Sequence, residues 1–238
     1  MKEKSSLETT SKKWNPIVGC SKVSEGCKYC YAESITKWLV GMNNVRYKNG
    51  FKLTIHNDLL EQPLEWKKPE RIFVCGMTDI FHEEIPDAII QKLFEVMNKT
   101  PQHDYLFTTK RSERMAQMDK DDLLKWSDNI WAGVTVENSK RRYRLDHLVA
   151  TKAKLKYVMV EPLLGKVDIS AWLKDIDWVA LGGESGRHAR PMEADWVRKV
   201  RDDCIEAKVP FYFKQWGGAR KKIAGNEIDG RHWFEYPR

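Results

Sequence analysis

The 238-residue chain lacks any apolar run near the ~18–20 residues that cross a bilayer. Its opening stretch, MKEKSSLETTSKKW, is polar throughout, so no secretory leader is predicted there and the expected compartment is the cytoplasm. There is no low-complexity linker and no internal repeat of fixed period. Five cysteines, at 20, 27, 30, 75 and 204, are too few and too unevenly placed for a disulfide-stapled secreted module. What is present points to a folded, basic protein. Hydrophobic residues make up 42%, too many for a disordered chain. Lys plus Arg less Asp plus Glu is 41 − 34 = +7. That charge suits an anionic partner such as nucleic acid. The basic residues are denser at Lys140, Arg141, Arg142, Arg144 and at Arg220, Lys221, Lys222, and ten Trp offer core or stacking surfaces.

Short, nearly continuous apolar runs recur at 72–75, 105–107, 130–134, 157–160, 178–181 and 210–213, with weaker ones at 16–19 and 52–56. Such runs are how strands buried on both faces of a parallel sheet read. Helical spacing lies between them. Ile89, Leu93 and Met97 share one face, as do Val197, Val200 and Cys204, and as do Ala32, Ile35 and Leu39, where Glu33 and Lys37 add an i, i+4 pair. Alternating strand and helix predicts an α/β fold, a TIM-like (β/α) barrel, full or partial, with six to eight mainly parallel strands. A doubly wound open sheet is the alternative. The expected organisation is a polar tail over 1–12 and a single domain over 13–238. The aromatic stretch 229–237 is read as packing rather than a closing flap.

Polar groups cluster just after the predicted strands: Thr78 and Asp79; Thr109, Lys110 and Arg111; Thr135 and Glu137; Glu161; Gly182, Gly183, Glu184 and Ser185; Lys214 and Gln215. Sites in barrels and open α/β sheets form at the carboxyl ends of the strands. Glu161, Lys110 and Lys214 are therefore the candidate catalytic groups, with Arg111 beside them. Three cysteines, Cys20, Cys27 and Cys30, fall within eleven residues. In a reducing compartment that clustering suggests metal. A structural zinc needs a fourth ligand, for which His56 or His82 is available. Three thiolates on a 4Fe–4S cluster instead leave one iron open to a small molecule. Cys75 and Cys204 read as small core hydrophobes.

The motifs KWNPIVGC at 13–20 and CYAE at 30–33 are joined by WKKP (66–69), MTDIFH (77–82), TKRSERM (109–115), GVTVEN (133–138), EPLLG (161–165), GGESG (182–186), ARPM (189–192) and FKQWG (213–217). Together they resemble the phage Gp37/Gp68 (DUF5131) family over nearly the whole chain beyond the first dozen residues. That family is similar to a divergent branch of the radical S-adenosylmethionine (SAM) superfamily, near enzymes of the spore photoproduct lyase type. Its members are often encoded beside a three-Cys-motif partner protein, which the resemblance implies as a partner here. By the same resemblance Cys20, Cys27 and Cys30 hold a 4Fe–4S cluster, Tyr29 packs on the adenine of SAM, and Gly182, Gly183 and Glu184 receive its amino group. Two features depart from the radical SAM pattern. Six residues rather than three separate the first two cysteines, and the Gly-Gly-Glu falls at a late strand. Met77, Thr78 and Asp79 are the alternative lining from an early strand. The resulting expectation is a radical SAM-type enzyme cleaving SAM to a 5′-deoxyadenosyl radical, acting on a nucleic acid or nucleotide. The alternatives are a metal-stabilised nucleic-acid-binding protein without catalysis and a barrel hydrolase using Glu161 and Glu184 as a carboxylate pair.

Overall fold

The computed structural model describes residues 10–237; most of the expected polar tail lies outside the described residues. Seven strands form the main sheet: β1 (Lys12–Trp14), β2 (Arg71–Val74), β3 (Asp104–Thr109), β4 (Ile130–Thr135), β5 (Leu155–Val160), β6 (Trp178–Gly182) and β7 (Phe211–Gln215). Their spatial order is their chain order, and every neighbouring pair is parallel. A doubly wound sheet reverses its strand order, which this one never does. The sheet is a curled half-barrel with β1 and β7 at its two edges.

The pattern of side chains explains why the inner strands are apolar at nearly every position. Residues such as Ile72, Val74, Phe107, Val134, Val158, Leu181 and Phe213 face the helices in one large core. Their alternates Phe73, Leu106, Trp131, Tyr157, Met159, Trp178, Ala180 and Tyr212 face the concave side. Both faces are dry, so strict polar alternation is lost. The helices are α1 (Tyr31–Gly41), α2 (Asp87–Lys99), α3 (Ser112–Lys120), α4 (Tyr143–Val149), α5 (Ala194–Ala207) and the short α6 (Lys221–Ala224). Helix α5 buries Val197, Val200 and Cys204, and α2 buries Leu93 and Met97, as their spacing predicts.

Three expectations need correction. The first barrel strand is β1, reading Lys-Lys-Trp, not 16–19; Ile17–Val18 pairs instead with Thr54–Ile55 in a small antiparallel ladder outside the barrel. Helix α1 buries Ala32 and Thr36, while Ile35 and Trp38 are exposed, so its apolar residues do not mark its buried face. Its Glu33–Lys37 pair does form, at 3.1 Å. Cys75 sits one residue past β2 with φ +56°, buried, rather than inside the strand.

The amino-terminal half of the barrel interior is filled by aromatics. The chain's last segment runs antiparallel along β7, with Phe213 N–H donating to Trp233 O (2.8 Å) and Glu235 N–H to Phe211 O (3.1 Å). It sets Phe234 and Tyr236 each 5.1 Å from the Tyr212 ring. Trp178 Nε1 donates to Glu235 O at 2.9 Å. The segment is therefore packing, a plug under the concave face. Tyr157 lies across Gly133, where an added Cβ would come within 2.3 Å of the ring. The ring cannot retreat, because its hydroxyl donates to Phe107 O (2.8 Å) and meets Thr108 Oγ1 (2.7 Å). Gly133→Ala is expected to cost about 1–3 kcal/mol through overpacking, measured by chemical denaturation; an unchanged midpoint would show that the plug is loose.

Candidate functional site

The three cysteines lie on a segment with almost no regular structure, and strand exits hold it in place. Gly19 has φ +87°, and a Cβ there would come within 2.2 Å of Lys52 O, so only glycine turns the chain here. Gly19 N–H donates to Met77 O at 3.0 Å, and Thr78 Oγ1 donates to Gly19 O, fastening this arm to the exit of β2. Beyond Cys20 the loop crosses the barrel mouth, with a single 3-10 turn at Glu25–Cys27. Ser24 Oγ donates to Glu137, which follows β4 and has no exposed surface. Glu137 also accepts from buried Arg144 at 2.8 Å. Gly26 has no room for a side chain, since a Cβ would approach Glu137 Oε1 to 2.6 Å. Glu25 pairs with Arg141 at 2.7 Å, and its carbonyl accepts from Arg190 at 2.8 Å. The loop ends at Cys30, the N-cap of α1.

Beneath this loop lies a cavity of about 150 Å³ at the carboxyl ends of the strands. Cys20, Cys27 and Cys30 line it, with Thr78, Asp79, Lys110, Arg111 and Glu161 from the exits of β2, β3 and β5. Phe51, Phe73, Met77, Ala32 and Met159 form its apolar walls. Of the residues singled out from sequence, these are brought together. Lys214 joins them through an ion pair with Glu161, and Gln215 Nε2 donates to the other oxygen of Glu161 at 2.8 Å.

Other predicted residues stand elsewhere. Tyr29 is not in the lining: it packs 5.6 Å from His188, with the cations of Lys28 and Arg190 at 5.2 and 5.4 Å from its ring. Tyr31 lines the cavity in its stead and donates its hydroxyl to Gly76 O. Gly182 backs onto Glu161, and Gly183 onto the Trp216 carbonyl. Glu184 is engaged by Arg190, through Nε (2.8 Å) and the backbone N–H (2.9 Å). Glu161 and Glu184 thus each pair with a different cation, Lys214 and Arg190. Asp79 is buried and accepts from Thr109 Oγ1 (2.6 Å), Lys110 N–H (2.8 Å) and Phe81 N–H (3.1 Å), so it fixes the β3 exit.

Arg111 joins both halves of the wall. It donates to Glu83 at 2.6 Å, to Ser21 Oγ at 2.7 Å and to Cys20 Sγ at 3.5 Å, and lies 3.4 Å from Asp79. Its hydrogen bond holds the Glu83 carboxyl down at about 2. Burial, with Asp79 next, raises the Cys20 thiol, and Arg111 opposes that shift. His82 is buried and accepts from Ser21 N–H at 3.2 Å, with burial holding its pKa low; His56 caps a 3-10 turn at Asn57–Leu59.

Among the described residues no three His, Cys, Asp or Glu groups converge on one point as ligands of a single ion. Three thiols of one loop lining one cavity suit a cluster, in which each thiolate binds a different metal atom. Cys75 also lines the cavity, but it stands outside the loop, one residue past β2, and burial pushes its thiol up; the three soft thiols of the loop are the donor set that fits a cluster with an open iron.

Sequence reasoning passed over Tyr31, Phe51 and Arg190, and named Glu137 and Arg144 without their roles. Their partners lie far away in sequence: Ser24 is 113 residues from Glu137, and Glu25 is 165 from Arg190. No local spacing signals such contacts.

The molecule is a parallel α/β half-barrel carrying a three-cysteine loop over its carboxyl rim. Residues 4–237 match the family described as "Protein of unknown function (DUF5131)", and the chain belongs to that family. No curated protein matches it. Among solved structures it is similar to a spore photoproduct lyase mutant with bound AdoMet and dinucleoside spore photoproduct. That likeness has 12% identity and a TM-score of 0.50, over 80% of this chain and 60% of the lyase chain. A second spore photoproduct lyase mutant is similar at 13% identity and TM-score 0.47, over 85% and 63%. The chain thus spans about three-fifths of the lyase chains it resembles, and the first likeness shows the fold.

No helix of the described residues is long and apolar enough to cross a membrane. Glu137→Ala is expected to destabilise the protein by about 3–5 kcal/mol, because it strands the buried Arg144 charge, and to expose residues 21–29 to protease. Denaturant unfolding and limited proteolysis check both effects; a fully resistant loop would show that Ser24 is not its anchor.

Proposed function

We propose that this chain is a radical SAM-type iron–sulfur enzyme whose substrate is a nucleic acid or nucleotide bound at the half-barrel mouth. The observation carrying the reading is that Cys20, Cys27 and Cys30 line one cavity with the carboxyl ends of β2, β3 and β5. A 4Fe–4S cluster held by these three thiolates would supply, through its open iron, the electron that cleaves SAM to a 5′-deoxyadenosyl radical for hydrogen abstraction.

The remaining parts follow from the chain's own groups. The Thr78 hydroxyl donates to Gly19 O, and the Gly76 and Met77 carbonyls each accept one hydrogen bond, which leaves their remaining lone pairs to accept from the amino end of SAM. Glu184 is the weaker candidate for that role, since Arg190 already occupies both its oxygens. Lys110 reaches Thr135 Oγ1 at 3.4 Å and forms no ion pair among the described residues, which leaves its charge for a carboxylate. Phe51, Met77 and Ala32 provide an apolar wall for an adenine ring. The Glu161–Lys214 pair places a carboxylate and an ammonium in contact at the cavity wall, where Glu161 can orient a bound substrate. The aromatic plug under the cavity keeps water out from the closed end of the barrel.

The substrate class rests on the rim. Lys28 on the loop, Lys140 beside the Glu25-bound Arg141 and Arg187 beside His188 are exposed and form no ion pair among the described residues; Arg220 is exposed at the head of α6, and the side chains of Lys221 and Lys222 lie outside the described part. The Tyr29 ring, flanked by Lys28, Arg190 and His188, adds an aromatic group to this basic rim.

Anaerobically reconstituted protein given SAM and dithionite is expected to form 5′-deoxyadenosine, and Cys27→Ala to form none; a cluster-loaded protein that makes none refutes the reading. A fluorescent single-stranded oligonucleotide is expected to bind, with affinity falling on the order of tenfold or more from 50 to 200 mM salt. Anisotropy that stays flat at low salt would remove nucleic acid as the substrate.

A further inference from the structure

The three cysteines do not share one environment. Cys30 caps a helix, and Cys27 Sγ lies 3.7 Å from Ser24 Oγ. Cys20 alone meets a cation, the buried guanidinium of Arg111, at 3.5 Å. That guanidinium is fixed in place: Glu83 holds Nε, Ser21 Oγ holds one terminal nitrogen, and Asp79 lies beside the other. A planar fork makes these contacts together, which an ammonium cannot do. The Cys20 contact is therefore built into the wall rather than a chance approach of a mobile side chain.

A hydrogen bond to a cluster-ligating sulfur, and a positive charge beside it, both favour the reduced cluster. Reduction adds one electron, and so one negative charge, with no bond made or broken in the protein. Arg111 stabilises that added charge, while Glu83 and Asp79 oppose it. We infer that Arg111 is a positioning residue that raises the reduction potential of the cluster through Cys20, and that Glu83 counterbalances it. The inference rests on the cluster reading above.

The test is a redox titration of the anaerobically reconstituted protein, with dithionite as one-electron donor and the reduced cluster followed by electron paramagnetic resonance. Iron content of the unaltered protein comes first: without a cluster there, the proposed function fails and not this inference. With about four irons bound, Arg111→Gln is expected to shift the potential to more negative values, and Arg111→Lys to a smaller extent in the same direction. Glu83→Gln is expected to shift it the opposite way, to less negative values. Loss of the network as mere scaffolding would move Arg111→Gln and Glu83→Gln alike. The inference is overturned by equal potentials in Arg111→Gln and the unaltered protein, by shifts of the same sign at both positions, or by folded Arg111 variants that all fail to take up iron.

Discussion

A carboxylate buried at the mouth of a barrel must be paired, and Glu137 meets that demand in two directions. Arg144, itself almost wholly buried, takes one oxygen and also donates to Thr135 O at 2.7 Å. The other oxygen accepts from Ser24. A charge that is costly to leave unpaired thereby becomes an anchor for a loop with almost no structure of its own. Gly26 is small because Glu137 stands where its side chain would be. Arg190 repeats the device on the far side: its Nε and Nη2 hold the Glu184 carboxylate, and Nη2 also donates to the Glu25 carbonyl. The cysteines face a common cavity because ion pairs on β4 and β6 exits reach up to the loop that bears them.

The same economy shapes the barrel below. An open sheet leaves its concave face exposed unless something fills it. Here large aromatics on β4 to β7 and the terminal Phe234 and Tyr236 occupy the amino-terminal half. The carboxyl half stays open, walled by smaller or polar groups such as Thr108, Thr135 and Met159. One end is packed for stability and the other is free for chemistry, the division on which enzymes of this architecture depend.

Much of this was legible in the sequence, and the physical reasons separate what was from what was not. Strands buried on both faces write themselves as apolar runs, so β2 to β7 were plain. Strand β1 is only Lys-Lys-Trp: an edge strand of three residues with one buried side chain leaves no run to see. Helix α1 misled because its exposed positions carry Ile35 and Trp38 while its buried face carries Ala32 and Thr36. The three cysteines and the exits bearing Thr78, Asp79, Lys110 and Glu161 were found from spacing and position, and the cavity gathers them. Tyr29 and Glu184 were placed by motif resemblance, and the fold sets both facing Arg190, beyond the cavity lining. Which way a loop side chain points depends on partners more than a hundred residues away, and local pattern does not carry that information.

In the proposed function these three thiols hold an iron–sulfur cluster with an open iron. Iron, acid-labile sulfide and zinc analysis of anaerobically purified protein, with its visible spectrum, tests it most directly. The account predicts a brown protein with about four irons and four sulfides per chain, lost in Cys27→Ala. A colourless protein holding one zinc per chain would contradict it.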